Sequence, residues 1–258
     1  MSYWGNRTAA AQAALSKKTL KQIEKQLSKY YATAARQVIA EFENTYNKVL
    51  LQQKEGAQIT PALLYKLDAY WQMQGQMRQK LRTLGEKEVS LLTKYFELNF
   101  FDIYYSIAIP GLEAFNTIDS AGAQQLINQI WVADGKSWSQ RIWENTELLA
   151  ETLNEELVHC VITGKTSSQL KQVLQERFSV SYERADALAK TEIAHVQTQA
   201  ARQRYQDYGI QKVQVWADKD ERRCDVCGKL HKKIYTINEN VPIPAHPRCR
   251  CCIVPVIE

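Results

Sequence analysis

The sequence predicts a mainly α fold: a long helical bundle or hairpin body with a small C-terminal β-rich, metal-binding module. Three observations predict it. Apolar residues recur at three- and four-residue steps through most of the chain, the mark of amphipathic helices. Proline, which ends or kinks helices, divides the chain. Only Pro61 and Pro110 precede residue 240, whereas Pro242, Pro244, Pro247 and Pro255 crowd the end. Five of the six cysteines lie in the last 35 residues, just after the apolar period switches to strict alternation at Gln211–Trp216.

The first helix is expected over about residues 10–54, on the stripe Leu20, Ile23, Leu27, Tyr31, Ala34, Val38, Phe42, Tyr46 and Val49, stopping near Gly56. Thr60-Pro61 reads as N-cap and first helical position. A second helix follows on Leu63, Leu64, Leu67, Tyr70, Trp71, Met77, Leu81 and Leu84, with Gly85 as its end. A third carries Val89, Leu92, Phe96, Phe100, Ile103 and Ile107 and stops before Pro110. A short helix over about 119–131 sits behind an Asp119/Ser120 cap, and Asp134-Gly135 is a turn. Ser137 can cap the next helix, which presents Ile142, Leu149, Leu153, Leu157 and Val161 and closes at Gly164. Ser167 or Ser168 caps a short helix through Leu170, Leu174 and Phe178, and a last helix runs from about 182 to 208. Gln211–Trp216, Ile234–Ile237 and Cys252–Val254 read as strands. The expected division is therefore 1–115, a long-helix region; 116–209, a second helical region; and 210–258, the Cys/His module.

Net charge is +5, unevenly spread. Residues 1–56 hold nine Lys/Arg against four Asp/Glu, and residues 211–258 nine against six, so both ends are basic. Basic ends suit nucleic acid or an acidic partner. Lys17, Lys18, Lys21, Lys25 and Lys29 form one basic helix face, suited to double-stranded DNA through its phosphates without sequence choice. The N-terminus shows no apolar signal-peptide core, and no stretch has the length of a membrane span.

The cysteines carry the strongest chemical signal. Cys224-x-x-Cys227 is followed, after 18 residues, by His246-x-x-Cys249-x-Cys251-Cys252. Each x-x spacing folds into a knuckle that aims two side chains at one point. Two thiolates, an imidazole and a further thiolate make a closed tetrahedral set for a structural Zn(2+) ion. Cys224, Cys227 and Cys249 are the core of the set, His246 and Cys251 compete for the fourth place, and Cys252 starts the closing strand. Disulfides are the competing reading; with no secretory signal, metal binding is the better one. Cys160, far away in a helical pattern, reads as a small buried hydrophobe.

Other constellations are weaker. Gly164-Lys165-Thr166 and Gly135-Lys136-Ser137 lack the upstream glycine of a phosphate loop, since those positions hold His159 and Ile130. Glu192 and His195 stand three residues apart as in a bundle metal half-site, but there is no second half-site. Thr191 and Glu192 better serve to anchor their helix to the metal module. His231 and the pair Asp218/Asp220 are candidates only for a nuclease-like centre.

The run Trp138-Ser139-Gln140-Arg141-Ile142-Trp143, the pair Thr191-Glu192, and Trp216-Ala217-Asp218-x-Asp220-x-x-x-Cys224-x-x-Cys227 with Pro244-x-His246-Pro247-x-Cys249-Arg250-Cys251 resemble the phage minor head, or head morphogenesis, proteins typified by the Mu F protein. The resemblance covers about residues 120–258. It implies a virion protein of the capsid interior, assembled in the host cytoplasm and associated with the portal protein, and also with major capsid or scaffolding protein. Its role would lie in procapsid assembly, DNA packaging or genome ejection. Some such proteins carry an enzyme or toxin domain after the cysteine block; the sequence ends six residues after Cys252, so none is expected. Pro242-Ile243-Pro244 stands where the family commonly doubles proline. The expected protein is not an enzyme. A metal-dependent nuclease built on the Cys/His block is the alternative, and a DNA-binding regulator ranks behind it.

Overall fold

The computed structural model describes residues 3–52, 61–113, 117–217 and 223–257. The expected stop at Gly56, the Thr60 cap and the Asp218/Asp220 pair lie outside them.

The fold is mainly α, with a small C-terminal sheet. Its helices are α1 (Tyr3–Gln52), α2 (Pro61–Tyr65), α3 (Asp68–Ser106), α4 (Ser120–Ile127), α5 (Trp138–Ile162), α6 (Ser167–Asp207) and α7 (Asp225–Leu230); its strands are β1 (Lys212–Trp216), β2 (Ile234–Thr236) and β3 (Cys252–Pro255). Among the described residues no helix is long and apolar enough to cross a membrane.

Several helices are longer than the punctuation of the sequence suggested. Gly85 does not end a helix but lies inside α3. A Cβ there would stand 2.7 Å from Trp143 Cζ3, so glycine is needed for the close approach of the α5 indole. The break expected after Phe178 is also absent, and α6 runs through Ser179-Val180-Ser181. Tertiary bonding outweighs the weak helix propensity of that run: Asn145 Nδ2 donates to the Ser181 carbonyl at 3.0 Å. Thr166, not Ser167 or Ser168, caps α6. Its backbone N–H donates to Gln169 Oε1 at 2.8 Å while Gln169 N–H donates back to the Thr166 hydroxyl at 3.2 Å, a reciprocal capping box. Asp119 caps α4 by accepting Gly122 N–H at 2.8 Å, but that helix stops at Ile127. Trp71 is 58% exposed and not on the buried stripe. Adjacent helical residues point about 100° apart, and the buried Tyr70 takes the inward direction.

By contacts the chain forms two compact units: Met1–Glu24, Leu91–Trp138 and Ala187–Glu258; and Lys25–Ser90 with Ser139–Asp186. In the second, Leu27, Val38, Phe42, Met77, Leu81 and Leu153 are buried apolar core residues. A polar cluster lies within it. Tyr31 OH donates to Glu88 Oε2 at 3.1 Å and accepts from Asn145 Nδ2 at 3.1 Å. Burial raises the Glu88 pKa to about 7. Cys160 is fully buried, as expected of a small hydrophobe, and its thiol pKa is raised by that burial.

The first unit holds the sheet, ordered β2-β1-β3 with both pairings antiparallel. Val213 and Val215 of β1 are fully buried, as alternation predicts. Ala9 of α1 packs against Cys252 and Val254 of β3. Beside it Gln12 Nε2 donates to Tyr205 OH at 3.2 Å and to the Ile253 carbonyl at 3.4 Å, and Tyr205 OH donates to the same carbonyl at 3.2 Å.

Candidate metal centre

The first knuckle is built on a helix start. Cys224 is the N-cap of α7, with extended backbone, and its Sγ accepts Cys227 N–H at 3.4 Å. That turn brings the Cys227 thiol back beside Cys224. The second knuckle turns between His246 and Cys249, closed by Cys249 N–H on the His246 carbonyl at 3.2 Å. Arg248 within it has left-handed backbone, φ 61°. Its N–H is held by the Thr191 hydroxyl of α6 at 2.9 Å, the anchoring expected of Thr191, whereas Glu192 is bonded to Trp131. Cys252 starts β3, fixed by pairing opposite Trp216 of β1.

The two knuckles converge. His246 Nε2 lies 3.2 Å from Cys224 Sγ and 3.1 Å from Cys227 Sγ, and Cys227 Sγ lies 3.8 Å from Cys249 Sγ. Donor atoms fall into two groups, Cys224/Cys227/His246 and Cys227/Cys249/Cys251, each within 4.8 Å. Cys227 belongs to both. All six cysteines are free, so no disulfide competes.

This donor set fits a metal ion. Around an ion with sulfur at about 2.3 Å and nitrogen at about 2.0 Å, tetrahedral edges are about 3.8 Å between sulfurs and about 3.5 Å between sulfur and nitrogen. The Cys227–Cys249 edge has that length, and the imidazole edges are slightly shorter. His246 Nδ1 sits 2.8 Å from the Pro247 carbonyl. Donation there keeps the proton on Nδ1 and turns the Nε2 lone pair toward the sulfurs, the usual support for a ligating histidine.

The thiols are unequal without an ion. Cys251 donates to Cys249, which lowers the Cys249 pKa to about 5 and raises that of Cys251. Burial raises Cys227 to about 12. The Cys227 backbone N–H lowers Cys224. The Pro247 carbonyl raises His246. Cys249 and Cys224 are thus the readiest thiolates, and a bound cation would deprotonate the others outright.

Other candidates find other uses. Glu192 Oε2 accepts from the Trp131 indole N–H at 3.1 Å, and His195 stacks on the Trp131 ring at 4.7 Å. The pair therefore serves packing. Trp131 gave no recognised signal in the sequence. His231, in the sequence a candidate only for a nuclease-like centre, accepts Ala217 N–H on Nδ1 at 3.2 Å and packs edge-on against Trp216. Lys17, Lys18, Lys21, Lys25 and Lys29 are exposed on α1.

These features define a mainly helical protein whose C-terminal sheet carries a thiolate–imidazole cluster that could hold a metal ion. Residues 151–254 match the family described as phage Mu protein F like protein. Over that span, which includes Thr191 and every donor of the cluster, the chain is similar to this family. No curated protein and no solved structure matches the chain.

Proposed function

We propose that the protein is a minor structural component of a phage head, bound to the portal inside the capsid and acting in procapsid assembly, DNA packaging or genome ejection. One observation carries this reading: the family match runs through both knuckles and contains the whole convergent donor set. Capsid or scaffolding protein would be a further partner. The ion is Zn(2+), which suits mixed thiolate and imidazole ligands. Cys224, Cys227, Cys249 and either His246 or Cys251 would hold it. Four protein donors leave no position for a reactive water, so its role is to close the knuckles, and the protein is not an enzyme. The nuclease alternative has less support, because His231 is held in the module's own packing, with Nδ1 accepting the Ala217 N–H and its ring edge-on to Trp216.

The exposed lysines of α1 contact packaged duplex through its phosphates. Binding should fall steeply with salt, and neutralising Lys18, Lys21, Lys25 and Lys29 should flatten that slope. The portal claim is tested by co-purification of the full chain with its cognate portal protein at low salt. Failure to associate would overturn it.

A further inference from the structure

A cleft of about 750 Å³ lies beside the metal centre, between α6, the segment after α4, and the loop that connects the two knuckles. Among the described residues of its lining, Arg202 is the only charged side chain. The guanidinium is half-buried, and its Nε has no hydrogen-bond partner. No carboxylate is paired with it among the described residues. On the same α6 wall, His195 is 98% buried and its Nε2 also lacks a partner. Burial, with Arg202 adding to it, lowers the His195 pKa to about 3, so this ring stays neutral. Opposite stand the exposed amides Asn240 and Asn238, the latter with its Oδ1 accepting from Gln206 Nε2 at 3.2 Å. Ile130 and Val226, each about half-exposed, give the cleft apolar rims.

A partly desolvated cation without a counter-ion costs free energy that a ligand carboxylate would recover. Nucleic acid would need a row of cations, and the described residues of this lining supply one. Side-chain amides match the alternating N–H and C=O groups of extended backbone, and the apolar rims match a side chain beside the acid. From this geometry we infer that the cleft is a docking site for an extended peptide segment of a partner protein, with an Asp or Glu seated on Arg202 and an apolar neighbour against Ile130 and Val226. The site is independent of the portal reading, since any acidic segment of that form would fit.

The probe is a random heptapeptide display library panned against the full chain, with R202Q as counter-selection. Enriched peptides should carry Asp or Glu next to an apolar residue. A synthetic peptide of the enriched sequence should shift the Trp131 indole N–H resonance, identified by W131F. It should bind R202Q at least roughly tenfold more weakly, the loss expected for a charge-assisted pair. N240D, an exposed change on the opposite wall that leaves α6 untouched, should weaken binding through like charge. Absence of enrichment, enriched peptides without carboxylates, unchanged affinity in both variants, or displacement by duplex DNA would overturn the proposal.

Discussion

The hydroxyl of Thr191 accepts the backbone N–H of Arg248 at 2.9 Å, tying the middle of α6 to the left-handed residue of the second knuckle. A helix thereby fixes the turn that presents His246 and Cys249. Thr191→Val keeps the shape but leaves that N–H without its partner. Thermal unfolding should show a loss of about 1 kcal/mol, and the variant should release metal to a chelator faster than the parent.

Cys227 stands in both donor groups, whereas Cys251 stands in one. Cys227→Ser should therefore abolish stoichiometric metal in elemental analysis. Cys251→Ser should retain it if His246 completes the set, and His246→Ala should then lose it. Retention by His246→Ala with loss in Cys251→Ser would assign the place to Cys251 instead.

Glu88 gives a pH dependence whose sign is fixed. Its pKa rises from the ordinary 4.5 to about 7 on folding, because burial disfavours the charged form. The folded state then binds the extra proton, so its contribution is complete below pH 4.5 and lost as pH climbs through 7. Stability measured by urea should fall across that window by roughly 1–3 kcal/mol, and Glu88→Gln should remove most of the slope.

Gly85 and Trp143 should be coupled. In the parent an alanine Cβ would meet the indole at 2.7 Å, so Gly85→Ala should cost about 1–2 kcal/mol. In a Trp143→Ala background the same change should stabilise by about 1 kcal/mol through helix propensity. A double-mutant cycle reads the sign reversal.

What the sequence revealed depended on how local each signal was. The donor residues and the three strands were legible because knuckle spacing and alternation are short-range patterns. The stripe from Ile23 to Tyr46 was legible because one face stays buried throughout. Gly85 misled because a glycine that admits a neighbouring indole and a glycine that ends a helix look alike until the neighbour is known. The continuity of α6 through Ser181 was hidden for the same reason, since it relies on Asn145 from another helix. The Thr166/Gln169 box was present in the sequence as T-x-x-Q, with the adjacent serines offering competing caps. Trp131 could be found only in three dimensions, where it meets Glu192 and His195.

The carbonyl of Ile253 accepts from both Gln12 and Tyr205, across a separation of 241 residues for the first. Synthesis proceeds from the amino end, so Gln12 leaves the ribosome long before its acceptor exists. That part of the molecule can close only after nearly the whole polypeptide has emerged, and contacts this distant in sequence form slowly. Until then Ala9 and Gln12 of α1 lack the partners that Cys252, Ile253 and Val254 supply in the finished fold.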